Sequence, residues 1–135
     1  MNVFRIFGVC LVVVHAFLGV WALGGMMEWL NMDVPWKPYS NPEFPHWLLF
    51  FHWGTVLFAA TVYLIGYFTH WRQTPHWMAV AYGMMALVCV VETFWYMTSS
   101  FRYIAMVLEY AAYVVILLVL YSQRFRGLHF LKKFT

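Results

Sequence analysis

The stretch VCVVETFWYMTSSFRYIAMVLEYAAY, residues 88–113, decides the fold. Two apolar runs flank the short break TSSF, which is enough chain to reverse direction and too little to form anything else. The runs therefore make an antiparallel helical hairpin, with its midpoint between Ser100 and Phe101. Glu92 and Glu109 stand equally far from that midpoint. At about 1.5 Å of rise per residue, both carboxylates lie roughly 8 to 10 Å in from the hairpin's end, at matching levels on neighbouring helices.

The rest of the chain places this hairpin in a membrane. Of 135 residues, 64% are hydrophobic and only 10% charged, whereas a soluble domain carries roughly 25% charged residues. A chain this short has too little interior to hide so much apolar surface from water. Four segments match the ~20 residues that a hydrocarbon core requires: 3–23, 47–68, 76–97 and 103–121. The sequence thus predicts an all-α integral membrane protein, one antiparallel four-helix transmembrane bundle over residues 1–135, with an interfacial basic tail at 122–135. The first segment, with Arg5 ahead of its apolar run, has the outline of a signal peptide, but its length favours a retained helix.

Four crossings leave both termini on one side. That side holds Arg5, Arg72, Arg124, Arg126, Lys132 and Lys133, against Lys37 and Arg102 on the other, so the positive-inside rule puts both termini in the cytoplasm. The membrane is the inner membrane of a bacterium or the endoplasmic reticulum. The last four residues, Lys132 to Thr135, fit a dilysine retrieval signal of the latter. Lipid is the expected partner, with other membrane subunits or a second copy of the chain as further candidates. Without a long basic stripe, nucleic acid is not expected.

Outside lies the connection GGMMEWLNMDVPWKPYSNPEFP, residues 24–45, rich in aromatic residues and proline. MMEWLNM suits a turn or two of helix at the headgroups, and the proline-spaced remainder suits extended chain. It reads as a lid or as a plain connector. PHW opens both the second and the third helix, at Pro45 and Pro75. Proline fits a helix's first turn and tryptophan fits the interface, so the repeat needs no further explanation. The tail should lie along the inner membrane surface, attracted to anionic lipid. Cys10 and Cys89 fall inside the spans, and without a CxxC pair a four-helix thiol oxidase is disfavoured.

Each helix carries one ionisable residue in its outer half: His15, His52, Glu92 and Glu109. His52 lies about 8 Å in from Trp47 and His15 about 12 Å in from Leu23. Helical spacing puts each on a face of small or polar residues. Gly8, Val12, Gly19 and Ala22 flank His15. Thr55, Ala59 and Gly66 follow His52. Tyr82, Met85, Cys89 and Tyr96 flank Glu92, and Arg102, Met106 and Tyr113 flank Glu109. Such faces pack inward. A lone charge at the bilayer centre costs at least ~2.5 to 3.5 kcal/mol, so the acids are expected to pair with the imidazoles, with Arg102, or around a cation.

Three uses fit this layer. His15, His52, Glu92 and Glu109 would suit one transition metal, Zn, Fe or Mn, with Cys89 as a further soft ligand, although HExxH and ExxH are both missing. Glu92 and Glu109 could instead serve as acid and base on a hydrophobic ligand, in a pocket lined by Trp53, Tyr96 and Tyr113 with Tyr110 and Trp95. The same side chains could equally be internal struts of an accessory or scaffold subunit in a larger complex. Bis-histidine haem through His15 and His52 is disfavoured, because two acids beside a porphyrin edge have no role.

The layout is loosely similar to the emopamil-binding (EXPERA) family of sterol-isomerase-like membrane proteins, in PHW opening the second helix, WRQTP between the second and third, and acids in the outer half. That resemblance implies intramembrane acid and histidine chemistry. The chain departs from the family in having His52 where the second helix carries an acid, and in lacking a proline in its fourth helix. A sterol-biosynthesis scaffold family also has four helices and a third helix ending much like ETFWYMT. Neither likeness transfers a role to any one residue.

Overall fold

A computed structural model describes residues 2–36 and 40–131, and the chain is helical almost throughout. Helix α1 spans Val3–Trp29, α2 His46–Thr69, α3 Thr74–Val91, α4 Arg102–Tyr121 and α5 Gln123–His129, with a π-helical turn at Glu92–Tyr96 continuing α3. Four of these helices, with α3 counted through Tyr96, are long and apolar enough to cross a membrane. Lys37, Pro38, Tyr39 and the dilysine segment from Lys132 lie outside the described residues.

Local chemistry sets most of the ends. The Asn2 side chain accepts from the Phe4 amide and caps α1. His70 takes the left-handed conformation that closes α2, at φ 54°. Pro75 occupies the first turn of α3, and the Ser122 hydroxyl accepts from the Phe125 amide to start α5. Successive helices run antiparallel, as three contacts show: Trp29 at the end of α1 meets His46 at the start of α2, Gly66 meets Thr74, and Ala86 meets Tyr110.

In lipid, helices associate through close packing rather than through escape from water, and small residues permit it here. A Cβ on Gly25 would collide with the Trp53 ring, and one on Gly66 with the Thr74 side chain. The core lies between α1, α2 and α3, around Leu11, Ala59, Tyr63, Met78, Ala81 and Tyr82. Helix α4 is the outlying member, with Leu120 its one fully buried side chain.

Three expectations need correction. Helix α1 continues through Gly24 and Gly25 to Trp29 instead of stopping at Leu23, so MMEW belongs to the span and not to a separate surface helix. Within the following connection Pro42–Phe44 forms a turn closed by the Phe44 amide on the Asn41 carbonyl, in place of extended chain. The tail does not simply lie along a surface: α5 turns its Phe125 and the adjoining Phe130 into the core, and both are buried.

Candidate functional site

The hairpin brings its acids to the end of the bundle that carries the α1–α2 connection, here the loop end. A cavity of about 250 Å³ opens there. Ser40, Asn41 and Phe44 wall it from the connection, Leu49, His52 and Trp53 from α2, Cys89, Glu92, Thr93 and Met97 from α3 and the π turn with its cap, and Arg102, Met106 and Glu109 from α4. Two clamps hold the connection in place: Trp36 packs on Gly24, and Ser40 donates to Glu28 at 3.2 Å. Phe44 presents its ring to His52 and Tyr96.

His52 and Glu92 form the centre of the site. Nδ1 of His52 lies 2.5 Å from the Glu92 carboxylate, whose side chain is 9% exposed against 30% for the imidazole. In the tautomer whose Nδ1–H donates to Glu92, Nε2 is left as an acceptor. The π turn sets where Glu92 sits in the chain's path. Its carbonyl accepts from the Met97 amide at 2.8 Å, five residues on, and the single widened turn ends the helix at the cavity rim. Such turns recur at functional sites.

Glu109 makes a second polar group on the same wall. The Tyr113 hydroxyl donates to it from one turn deeper, and the Cys89 thiol donates at 3.4 Å. Arg102 does not pair with Glu109. Its guanidinium donates to the Met97 carbonyl at 2.8 Å and to the Tyr103 hydroxyl at 3.0 Å, tying α4 to the end of the π turn. Two residues that line the cavity each carry a buried donor with no acceptor among the described residues, the Trp53 indole N–H and the Arg102 Nε–H. A buried donor without a partner is destabilising by about 1 to 3 kcal/mol.

The structure gathers His52, Glu92 and Glu109 around one cavity and leaves His15 out. His15 bonds the Tyr82 hydroxyl through Nε2 at 3.0 Å and the Leu11 carbonyl through Nδ1 at 2.7 Å. The cause is the longer α1. Measured from Trp29 instead of Leu23, His15 lies about 21 Å from the helix end rather than about 12 Å, well below the acids. The expected four-residue ligand set is therefore not assembled, and among the described residues no three His, Cys, Asp or Glu side chains are grouped as metal ligands.

Of the aromatic residues expected on the wall, Trp53 is there. Tyr96 stands at the rim against Phe44 and Trp47, and Tyr113 lies beneath, on Glu109. Trp95 instead faces outward, 70% exposed, and Tyr110 donates to the Ala86 carbonyl on another side of the hairpin. Residue-by-residue reading missed the walls contributed by Thr93, Met97 and Asn41, since nothing in their spacing marks them. Comparison with protein-family models, curated proteins and solved structures yields no match, so the likeness in layout assigns no roles and the site is read from its own chemistry.

Proposed function

We propose that the chain binds an amphiphilic, acceptor-bearing ligand in the loop-end cavity, and that His52 and Glu92 serve there as an acid–base pair. The observation that carries this reading is the His52–Glu92 contact of 2.5 Å on the wall of a cavity of about 250 Å³ inside an otherwise apolar bundle. Phe44, Leu49, Met97 and Met106 would take the ligand's apolar part. The Arg102 and Trp53 donors would take its oxygens, and Nε2 of His52 would accept or return a proton with Glu92 and Glu109 balancing the charge. The excess of basic residues at the other end supports termini in the cytoplasm and a cavity facing outward.

A specific feature keeps the metal reading in view. A smaller hollow of about 40 Å³ is lined by His52, Cys89, Glu92 and Glu109 together, a donor set that would suit Zn, Fe or Mn after modest side-chain rotation. The accessory-subunit reading draws on α4, whose outward side chains Val107, Leu108 and Leu118 are all more than half exposed; a partner subunit or a second copy of the chain would cover them.

Photolabelling tests the ligand reading. Full-length protein in lipid nanodiscs is illuminated with a trace of a fatty acid carrying a diazirine near its carboxylate, and the labelled peptides are mapped. Labels concentrated on Phe44, Met97 and Met106 are expected. A pattern confined to lipid-facing positions such as Val13 and Leu118 would contradict it.

A further inference from the structure

Away from the cavity, helices α1 and α4 stand apart. Between them lies a slot of about 470 Å³, within the roughly 300 to 1,000 Å³ of ordinary ligand sites. Phe7, Cys10 and Val14 wall it from α1, and Ala111, Ala112 and Val115 from α4. Cys10, Val14 and the three α4 residues are exposed, so the slot is open along its outer side. Elsewhere facing helices close on each other, as Gly19 does on Ala60; here the small side chains leave room that the described residues do not fill. The slot runs from roughly 6 to 17 Å along α1, counted from its first residue. Helix α5 lies at its near end, where Phe125 meets the Phe7 ring edge-on with centroids 6.3 Å apart.

That end of the bundle carries cations without anions. The five acids of the chain are Glu28, Asp33, Glu43, Glu92 and Glu109, and even Glu109 lies about 18 Å short of the end of α4. Arg5, Arg72, Arg124 and Arg126 thus have no carboxylate in their half of the chain's length across the bundle, and the ion pair among the described residues is His52 with Glu92. An excess of arginine by itself only orients a chain. Two of these arginines, though, belong to α5, which its buried Phe125 and His129 hold against the core. They flank Phe125, the residue that marks the slot's end.

We propose that the slot and α5 together bind one anionic phospholipid, with an acyl chain between α1 and α4 and the phosphodiester against Arg124 and Arg126. The apolar walls call for chain, and the acid-free end calls for a negative headgroup. A guanidinium meets phosphate oxygens with paired N–H donors, and each cation at a membrane surface favours an anionic lipid by about fivefold. A zwitterionic lipid gains less, because the same arginines repel its ammonium group. Nothing in the loop-end cavity is needed, so the lipid stays in Glu92→Gln, and the mass of a diacyl lipid sets it apart from the cavity's ligand.

The test uses the full chain in phosphatidylcholine nanodiscs holding a trace of one of two probes, phosphatidylglycerol or phosphatidylcholine, each with a diazirine midway along one acyl chain. Both leaflets are present, so orientation does not enter. After illumination, the peptides bearing Phe7 to Val14 and Ala111 to Ile116 should carry about twenty-five times more label from the phosphatidylglycerol probe, fivefold for each α5 arginine. Arg124→Gln and Arg126→Gln should each lower that ratio by about fivefold. Ala112→Phe fills the slot from its exposed side and keeps both charges, and it should reduce slot label to that of an open lipid-facing position such as Val13. Thermal unfolding midpoints near that of the wild type show that the variants are folded. Equal slot labelling by the two probes in the wild type overturns the proposal, as does a ratio that survives the double substitution of Arg124 and Arg126. A slot labelled by neither probe also overturns it, and marks a protein helix lying there.

Discussion

Replacing Glu92 by glutamine separates charge from hydrogen bonding at the centre of the site. The side-chain amide introduced by Glu92→Gln would keep an acceptor for the His52 Nδ1–H, so this variant should lose only about 1 kcal/mol of stability, whereas Glu92→Ala leaves that donor bare and should lose about 1 to 3 kcal/mol. Unfolding in mixed micelles of both variants checks this ordering. Equal losses would mean that the charge itself braces the helices. The hairpin arithmetic, run from one short turn, brought Glu92 and Glu109 to one cavity, with Glu109 meeting Cys89, one turn below Glu92. The same arithmetic failed for His15, whose reference point was the wrong helix end. Arg102 eluded the reading for another reason: a guanidinium can satisfy itself on a carbonyl, here that of Met97, and sequence spacing carries no mark of that choice.

At the scale of elements, two glycines in succession read as a break, and here they are an approach. Gly24 and Gly25 stay helical where Trp36 and Trp53 pack against them, so the site's aromatic wall and the connection beside it depend on the last turns of α1. Gly25→Ala must push the Trp53 ring aside and should cost about 1 to 3 kcal/mol. Gly54→Ala, with nothing within 4 Å of its Cβ, should be neutral or gain up to about 1 kcal/mol from helix propensity. A matched pair of thermal melts decides the matter, and similar midpoints would contradict the packing described. The inward faces of α1 and α2 were legible, since Gly8, His15, Gly19 and Ala22, and likewise Thr55, Ala59 and Gly66, are all buried as their spacing suggests. The π turn was not, because one widened turn leaves no composition signature. The fold-back of α5 was missed because basic residues alternating with Phe and Leu read equally well as a surface helix.

For the molecule as a whole, we propose that the asymmetry of basic residues orients the bundle with both termini in the cytoplasm. Arg5, Arg72, Arg124 and Arg126 lie at the end with the termini, and Arg102 lies near the cavity. A green fluorescent protein fused after Thr135 should therefore fluoresce, and an alkaline phosphatase inserted between Ser99 and Ser100 should be active; the reverse pattern would turn the cavity toward the cytoplasm. The four helices long and apolar enough to cross a membrane were legible from composition and run length. What the bundle is for rests on the cavity. The most direct measurement is native mass spectrometry of the full chain released from nanodiscs, comparing wild type with Glu92→Gln. The account predicts an added mass of a few hundred daltons on the wild type, a bound amphiphile, that is lost in the folded variant. An adduct retained unchanged by Glu92→Gln, an adduct of a single metal ion, or a bare chain held only to a partner subunit would contradict it.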